Sequence, residues 1–209
     1  MLGGWSADGH APFRHLVGTI LSARSRDEVT DAVCRDLFEA YPTPERLAEA
    51  PHRDVERILH RIGFYRVKAR YVIESSRMLL SEFGGKVPRT LEELMRFPGV
   101  GRKVANCVLV YAFGKAAIPV DTHVHRVSNR LGWVKTSTPE RTERALVEML
   151  PRRHWLLLNE LFVAHGKAVC RPIGPRCVEC SIAGWCRRVG VTSRAGYTPH
   201  PSQSSAVSP

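Results

Sequence analysis

Apolar residues recur at helical spacing almost from the start of the chain. Between Pro12 and Ala23 the residues Phe13, Leu16, Val17, Ile20 and Leu21 fall on one face, and Asp27 then stands as the cap of a helix reaching Tyr41. Short helices are predicted at Arg53 to Arg61 and at Arg66 to Glu82, the second ended by Gly84-Gly85. Thr90-Leu91-Glu92-Glu93 opens another helix with a capping-box pattern. Lys103 to Phe113 carries Val104, Val108, Leu109, Val110, Tyr111 and Phe113 around most of its circumference, which predicts a helix inside the fold. Pro119 keeps Ile118 extended, and a helix restarts at Asp121. Two more helices are expected, from Pro139 to Leu150 and from Trp155 to about Val169, and no strand pattern competes with them.

Thr43-Pro44-Glu45-Arg46 recurs as Thr138-Pro139-Glu140-Arg141. Threonine at the N-cap, proline at N1 and glutamate in the first turn favour helix starts in general, so the repeat reads as capping rather than duplication. From Thr192 onward the chain is Ser, Pro, Gly and Thr without an acidic residue, the composition of a disordered basic tail.

Composition changes this helical picture in two ways. The 209 residues are enough for two lobes, and a net charge of +11 points to a polyanionic partner. Met1 to His10 lacks the cationic start and apolar run of a signal peptide, and Val104 to Phe113 falls far short of the ~18 residues of a membrane span, so a soluble protein is expected.

The chemistry gathers in three places. Arg96-Phe97-Pro98-Gly99-Val100-Gly101-Arg102-Lys103 is a glycine hairpin leading into the apolar helix. Its glycines are expected to turn through positive φ and approach a ligand closely, and the uncapped N–H groups of the helix offer a phosphate seat. Lys103 stands in that first turn, where the helix end, Arg102 and an apolar wall disfavour its charged form. It is therefore either a phosphate ligand or a nucleophile. Asp121, just before Thr122, is an N-cap and a candidate catalytic carboxylate, two compatible roles.

Four of the six cysteines crowd together: Cys170, Cys177, Cys180 and Cys186, with the spacing C-x6-C-x2-C-x5-C. Four soft donors in so short a segment suit one [4Fe-4S] cluster better than zinc, whose commoner pattern has two C-x2-C pairs. Cys34 and Cys107 read as small buried apolar residues, and Tyr65 and Trp185 as packing residues. His123 and His125 have no cysteine or carboxylate at ligand spacing and suit packing or DNA contact. Arg126 is placed to reach phosphate from the same helix, and Lys167, Arg171 and Arg176 to do so from the cysteine segment.

Taken together, the Phe-Pro-Gly-Val-Gly-Arg-Lys hairpin, a Val-Asp-Thr-His segment whose aspartate lies eighteen residues after that lysine, and the cysteine spacing resemble the endonuclease III family over about Phe13 to Cys186. The resemblance implies an all-α, two-lobed helix-hairpin-helix glycosylase fold, with a six-helix lobe and an iron-sulfur cluster lobe across a DNA-binding cleft. The lobes would be 10–117, and 118–191 with 1–9, followed by a disordered 192–209.

It further implies a base-excision-repair enzyme that removes oxidised pyrimidines from duplex DNA and nicks the strand as an AP lyase. Lys103 and Asp121 would be catalytic, and Cys170, Cys177, Cys180 and Cys186 the cluster ligands. Phe97, Pro98, Gly99, Val100, Gly101 and Arg102 would clasp DNA with His123 and Arg126. Phe64, in Ile62-Gly63-Phe64-Tyr65, matches the family's intercalating wedge.

The family's Leu-Ser-Ala-Gln-x-x-Asp motif appears as Leu21-Ser22-Ala23-Arg24-Ser25-Arg26-Asp27, with Arg24 in place of a glutamine that helps fill the hole left by a flipped base. The expected partner is double-stranded DNA with damaged bases or abasic sites. The expected setting is a cytoplasmic, nucleoid-associated protein of a prokaryote acting as a monomer without contact with a membrane. Two other readings remain at this point: a monofunctional mismatch glycosylase, against which Lys103 counts, and a noncatalytic protein that binds damaged DNA.

Overall fold

A computed structural model describes residues 10–191, apart from Arg24 and Arg26. The expectations for Arg24, for 1–9 and for the 192–209 tail therefore lie outside the described residues. The described chain is helical, with no strand among the described residues, and divides into two compact units between Pro119 and Val120. No helix among the described residues is long and apolar enough to cross a membrane.

The first unit holds seven helices: α1 (Ala11–Ser22), α2 (Asp27–Ala40), α3 (Pro44–Ala48), α4 (His52–Leu59), α5 (Tyr65–Phe83), α6 (Leu91–Leu94) and α7 (Arg102–Phe113). In α7 every residue from Val104 to Val110 is buried, so it is the central element, and α1 packs along it. From α1, Leu16, Val17 and Leu21 enter the core with no exposed surface, where they meet Val108. Burying each such side chain contributes about 1.5–3 kcal/mol over leaving it in water. The helix starting at Tyr65 is not short: with 19 residues α5 is a long strut against which α3 and α4 pack.

Local capping sets the short elements. Thr43 Oγ accepts the N–H of Arg46 at 3.4 Å, and Thr138 Oγ that of Arg141 at 3.3 Å, so the repeated tetrapeptide is a pair of helix caps. At Thr90 the hydroxyl accepts the Glu93 N–H at 3.3 Å and donates to the Glu93 carboxylate at 2.6 Å.

The second unit contains α8 (Thr122–Leu131), α9 (Pro139–Met149) and α10 (Trp155–Ala168), with α10 packed on α8. Val124, Val127, Leu131, Leu146, Leu158 and Phe162 are among its buried apolar residues, and Trp133 lies 5.4 Å from the Phe162 ring. After α10 the chain is irregular apart from a turn of 3-10 helix at Ala183–Trp185. This segment is held to the end of α8: the Arg187 N–H donates to the Leu131 carbonyl at 3.3 Å and the Val189 N–H to the Arg130 carbonyl at 3.1 Å.

Candidate functional site

The hairpin before α7 is anchored by its apolar residues. Phe97 is 2% exposed and stacks on Phe83 with ring centroids 5.2 Å apart, while Val100 is also buried. Phe97 and Val100 thus offer a ligand only their backbone, and their side chains hold the turn. The Val100 N–H closes it on the Phe97 carbonyl at 3.0 Å. Arg96 lies over the Phe83 ring and pairs with Glu82, which braces the turn from outside.

Gly99 is the residue that turns, with φ +76°, and a Cβ there would fall 2.4 Å from Cδ2 of Tyr71. Gly101 corrects the expectation of two positive φ values. It is extended, at φ −87° and ψ 176°, and serves as the N-cap of α7 without a side-chain cap. What its missing side chain provides is open space, since a Cβ there meets nothing within 4 Å. The first-turn N–H groups of α7 thus lie behind two exposed glycines.

Lys103 is half-buried in that first turn, and its Nζ makes no hydrogen bond or ion pair among the described residues. Lys115, by contrast, donates to the Arg89 carbonyl at 2.6 Å. A lysine held by its helix but chemically uncommitted is suited to bond with something outside the chain.

Asp121 caps α8 through one oxygen. Its Oδ1 accepts the N–H of His123 at 2.9 Å and of Val124 at 2.8 Å, and no hydrogen bond falls to Oδ2 among the described residues. Capping fixes the carboxylate while leaving an oxygen for other chemistry.

His123 and Arg126 form an internal network. Arg126 Nε donates to the Cys170 carbonyl at 3.0 Å, one terminal nitrogen donates to the Gly166 carbonyl at 3.1 Å and stands 3.1 Å from His123 Nδ1, and the other donates to the Thr122 carbonyl at 3.3 Å. The Arg126 guanidinium thus binds α8 to α10 and to the cysteine segment. Desolvation lowers its pKa from the usual value, with Cys170 acting the other way. His125 is likewise internal, with Nδ1 2.7 Å from Thr142 Oγ.

Phe64 is an exposed aromatic, 63% accessible, at the entrance of α5. Its φ of +59° places a bulky side chain in the left-handed region, which it shares among described non-glycine residues only with Arg188. So exposed a phenylalanine adds little to the core, and backbone outliers of this kind cluster at functional sites.

Cys170, Cys177, Cys180 and Cys186 all line one open-mouthed recess, with Val127, Leu131, Val169 and Ile182 among its apolar walls. Among the described residues no three His, Cys, Asp or Glu side chains converge as ligands of a single metal ion. Donors already surround the sulfurs: Arg130 reaches Cys170 Sγ at 3.4 Å, and the Arg188 N–H donates to Cys186 Sγ at 3.4 Å. His165 Nε2 stands 3.8 Å from Cys180 Sγ. An apolar recess with four thiols and donors aimed at sulfur fits a polynuclear iron-sulfur group.

Elsewhere Cys34 and Cys107 are buried, and burial pushes the Cys34 thiol up to about 12. Tyr65 packs against the core as expected. Trp185 does not, being 78% exposed on the cysteine segment.

Three contributors escaped the sequence. Tyr71 braces Gly99, Arg130 reaches the Cys170 sulfur, and Lys68 is a buried amine 5% exposed. Arg130, one helical turn beyond Arg126, shares its face and was open to inference. Lys68 lies in Arg66-Val67-Lys68-Ala69-Arg70, which reads as a solvated basic run.

Residues 17–152 match the HhH-GPD superfamily of base excision DNA repair proteins. The endonuclease III of Thermotoga maritima is 50% identical over 84% of this chain and 82% of that protein, and that of Bacillus subtilis 40% identical over 84% and 81%. Among solved structures, a trapped endonuclease III–DNA covalent intermediate superposes with a TM-score of 0.80 at 38% identity, covering 85% of this chain and 84% of the other. Helical throughout its described residues, this chain belongs to the endonuclease III family of HhH-GPD base excision repair proteins.

Proposed function

We propose that this protein is a base-excision-repair DNA glycosylase that removes oxidised pyrimidines from duplex DNA and, as an AP lyase, cuts the strand through a Schiff base on Lys103. The observation that carries the reading is Lys103 itself, half-buried at the start of α7 behind Gly99 and Gly101 and without a partner among the described residues.

The target nucleotide is rotated out of the duplex, at a cost of a few kcal/mol of unstacking. Backbone N–H groups of the hairpin bind phosphate against that cost, and Phe64 fills the vacated stack. Neutral Lys103 then attacks C1′. The N-glycosidic bond breaks and its electron pair leaves with the base, which takes up a proton. Ring opening gives an imine between Nζ and C1′. The imine acidifies the 2′ hydrogens, and loss of one drives out the 3′ phosphate by β-elimination, cutting the strand on the lesion's 3′ side. Asp121 stabilises positive charge developing on the sugar and relays protons through the oxygen its cap leaves over. Lys103 distinguishes this reading from a monofunctional mismatch glycosylase, which needs no amine there.

Cys170, Cys177, Cys180 and Cys186 hold a [4Fe-4S] cluster, supported by their spacing and their shared recess. When bound, the cluster supplies iron–thiolate bonds that cross-link a segment with little core of its own. The enzyme works as a monomer on chromosomal DNA in the cytoplasm.

The test is a panel of duplexes, each carrying one lesion, assayed separately for base release and strand cleavage. Release of oxidised pyrimidines with β-elimination ends is expected. Release without nicking would remove the lyase, and binding without release on every lesion would remove the enzyme.

A further inference from the structure

Arg130 holds the cysteine segment at both ends, with two different parts of itself. Its guanidinium takes the entry: one nitrogen donates to the Arg171 carbonyl at 2.6 Å and to Cys170 Sγ at 3.4 Å, and the other to the Pro172 carbonyl at 2.9 Å. Its backbone carbonyl takes the exit, accepting the Val189 N–H at 3.1 Å and facing Cys186 Sγ at 3.4 Å. The first and the last of the four cysteines are thus tied to one residue.

The exit is a matter of backbone. The last four carbonyls of a helix have no intrahelical donor. In α8 the chain just after the helix serves two of them: the Trp133 N–H donates to the Ser128 carbonyl at 3.1 Å and the Gly132 N–H to the Asn129 carbonyl at 3.0 Å. The cysteine segment serves the other two, with Val189 at Arg130 and Arg187 at Leu131, the latter at 3.3 Å. Gly132 leaves the room this needs, since a Cβ there would fall 2.4 Å from Cδ of Arg187. The side chain at 130 enters none of these bonds, so the guanidinium serves the entry alone.

We infer that Arg130 is a positioning residue for the metal group: its guanidinium fixes the entry of the cysteine segment and places a charged donor on the Cys170 sulfur, which raises the group's reduction potential and slows loss of iron. The inference rests on the proposed [4Fe-4S] reading of the four cysteines. A positive donor on a thiolate favours the more negative, reduced state, and a fixed thiolate recaptures its iron before the segment can open. The two effects have different origins. Potential follows the charge near the sulfur, whereas retention follows the fork that spans one sulfur and two carbonyls, a geometry that lysine cannot reproduce.

The test uses the full, cluster-loaded chain as wild type, Arg130→Met and Arg130→Lys. Reduction potential is read by redox titration followed in the visible spectrum, and iron loss by the decay of that spectrum in the presence of a chelator. Hydrogen exchange is followed at the amides of Arg171 and Arg176, near the entry, and of Arg187 and Val189, at the exit. In Arg130→Met the potential falls and iron is lost at least about tenfold faster. The entry amides exchange about tenfold faster, with the exit amides within about twofold of wild type. Arg130→Lys keeps much of the potential but loses iron nearly as fast as Arg130→Met, and its iron loss and exchange decide the matter if Arg130→Met does not fold.

Wild-type potential and iron retention in a folded Arg130→Met, or exchange that quickens equally at entry and exit, overturns the inference. If wild type binds no iron, the proposed cluster fails instead, and exchange alone then decides the clasp: faster at the entry amides upholds it, and unchanged overturns it.

Discussion

A methyl group on Gly99 would stand 2.4 Å from Cδ2 of Tyr71, so the hairpin turn and the side of α5 occupy adjoining space with no allowance for a side chain. The same residue has φ +76°, where an L side chain is strained even without a neighbour. Gly99→Ala is therefore expected to destabilise the fold by about 1–3 kcal/mol and to weaken duplex binding as the turn shifts. Gly101→Ala, in extended backbone and open space, should leave stability nearly unchanged. Melting curves and fluorescence anisotropy on both variants check this; equal destabilisation by the two would contradict it.

Asp121 has two roles that substitution can separate. Asn keeps an oxygen to accept the His123 and Val124 N–H groups but removes the charge, whereas Ala removes both. Base release should fall by about 10²–10⁴-fold in both variants. Only Asp121→Ala should also lose about 1 kcal/mol of stability from the missing cap. An active Asp121→Asn would reduce the residue to a cap.

Arg126 ties the Cys170 and Gly166 carbonyls to α8, and a Cβ on Gly166 would fall 2.5 Å from His123 Nδ1. Arg126→Met and Gly166→Ala are both expected to loosen the cysteine segment. Purified variants should carry less iron per chain and lose visible absorbance faster in the presence of a chelator. Full, stable iron content in both would show that the tie does not support the metal site.

Lys68 sets a pH dependence whose sign follows from its burial. Its pKa is about 8 in the folded chain against an ordinary 10.5, so between those values the unfolded chain holds more protons at this position. Its burial penalty is thus fully present below the folded value and is relieved as pH rises through that window. Urea unfolding should show wild type gaining stability relative to Lys68→Met over this range. A difference independent of pH would contradict the assignment.

Legibility from the sequence followed the range of the forces involved. Helices and caps are local, so the faces of α1 and α7 and the two threonine caps could be read from spacing alone. The hairpin, Asp121 and the cysteines were visible because each needs particular residue types at fixed separations. Burial set by distant partners was not visible. Phe97 turns inward because Phe83 receives it, Arg126 because Cys170 and Gly166 present carbonyls, and Lys68 because α1 ends beside it. Trp185 failed in the opposite sense: its size suggested packing, yet the irregular cysteine segment leaves it exposed.

The central claim is a covalent bond between Lys103 and C1′ of the damaged nucleotide. Borohydride added while wild type acts on a duplex with one oxidised pyrimidine should reduce the imine to a stable protein–DNA adduct, with the modified peptide mapping to Lys103. Lys103→Ala should give none. An adduct that persists in Lys103→Ala, or base release and strand cleavage by wild type with no trappable adduct, would contradict the account.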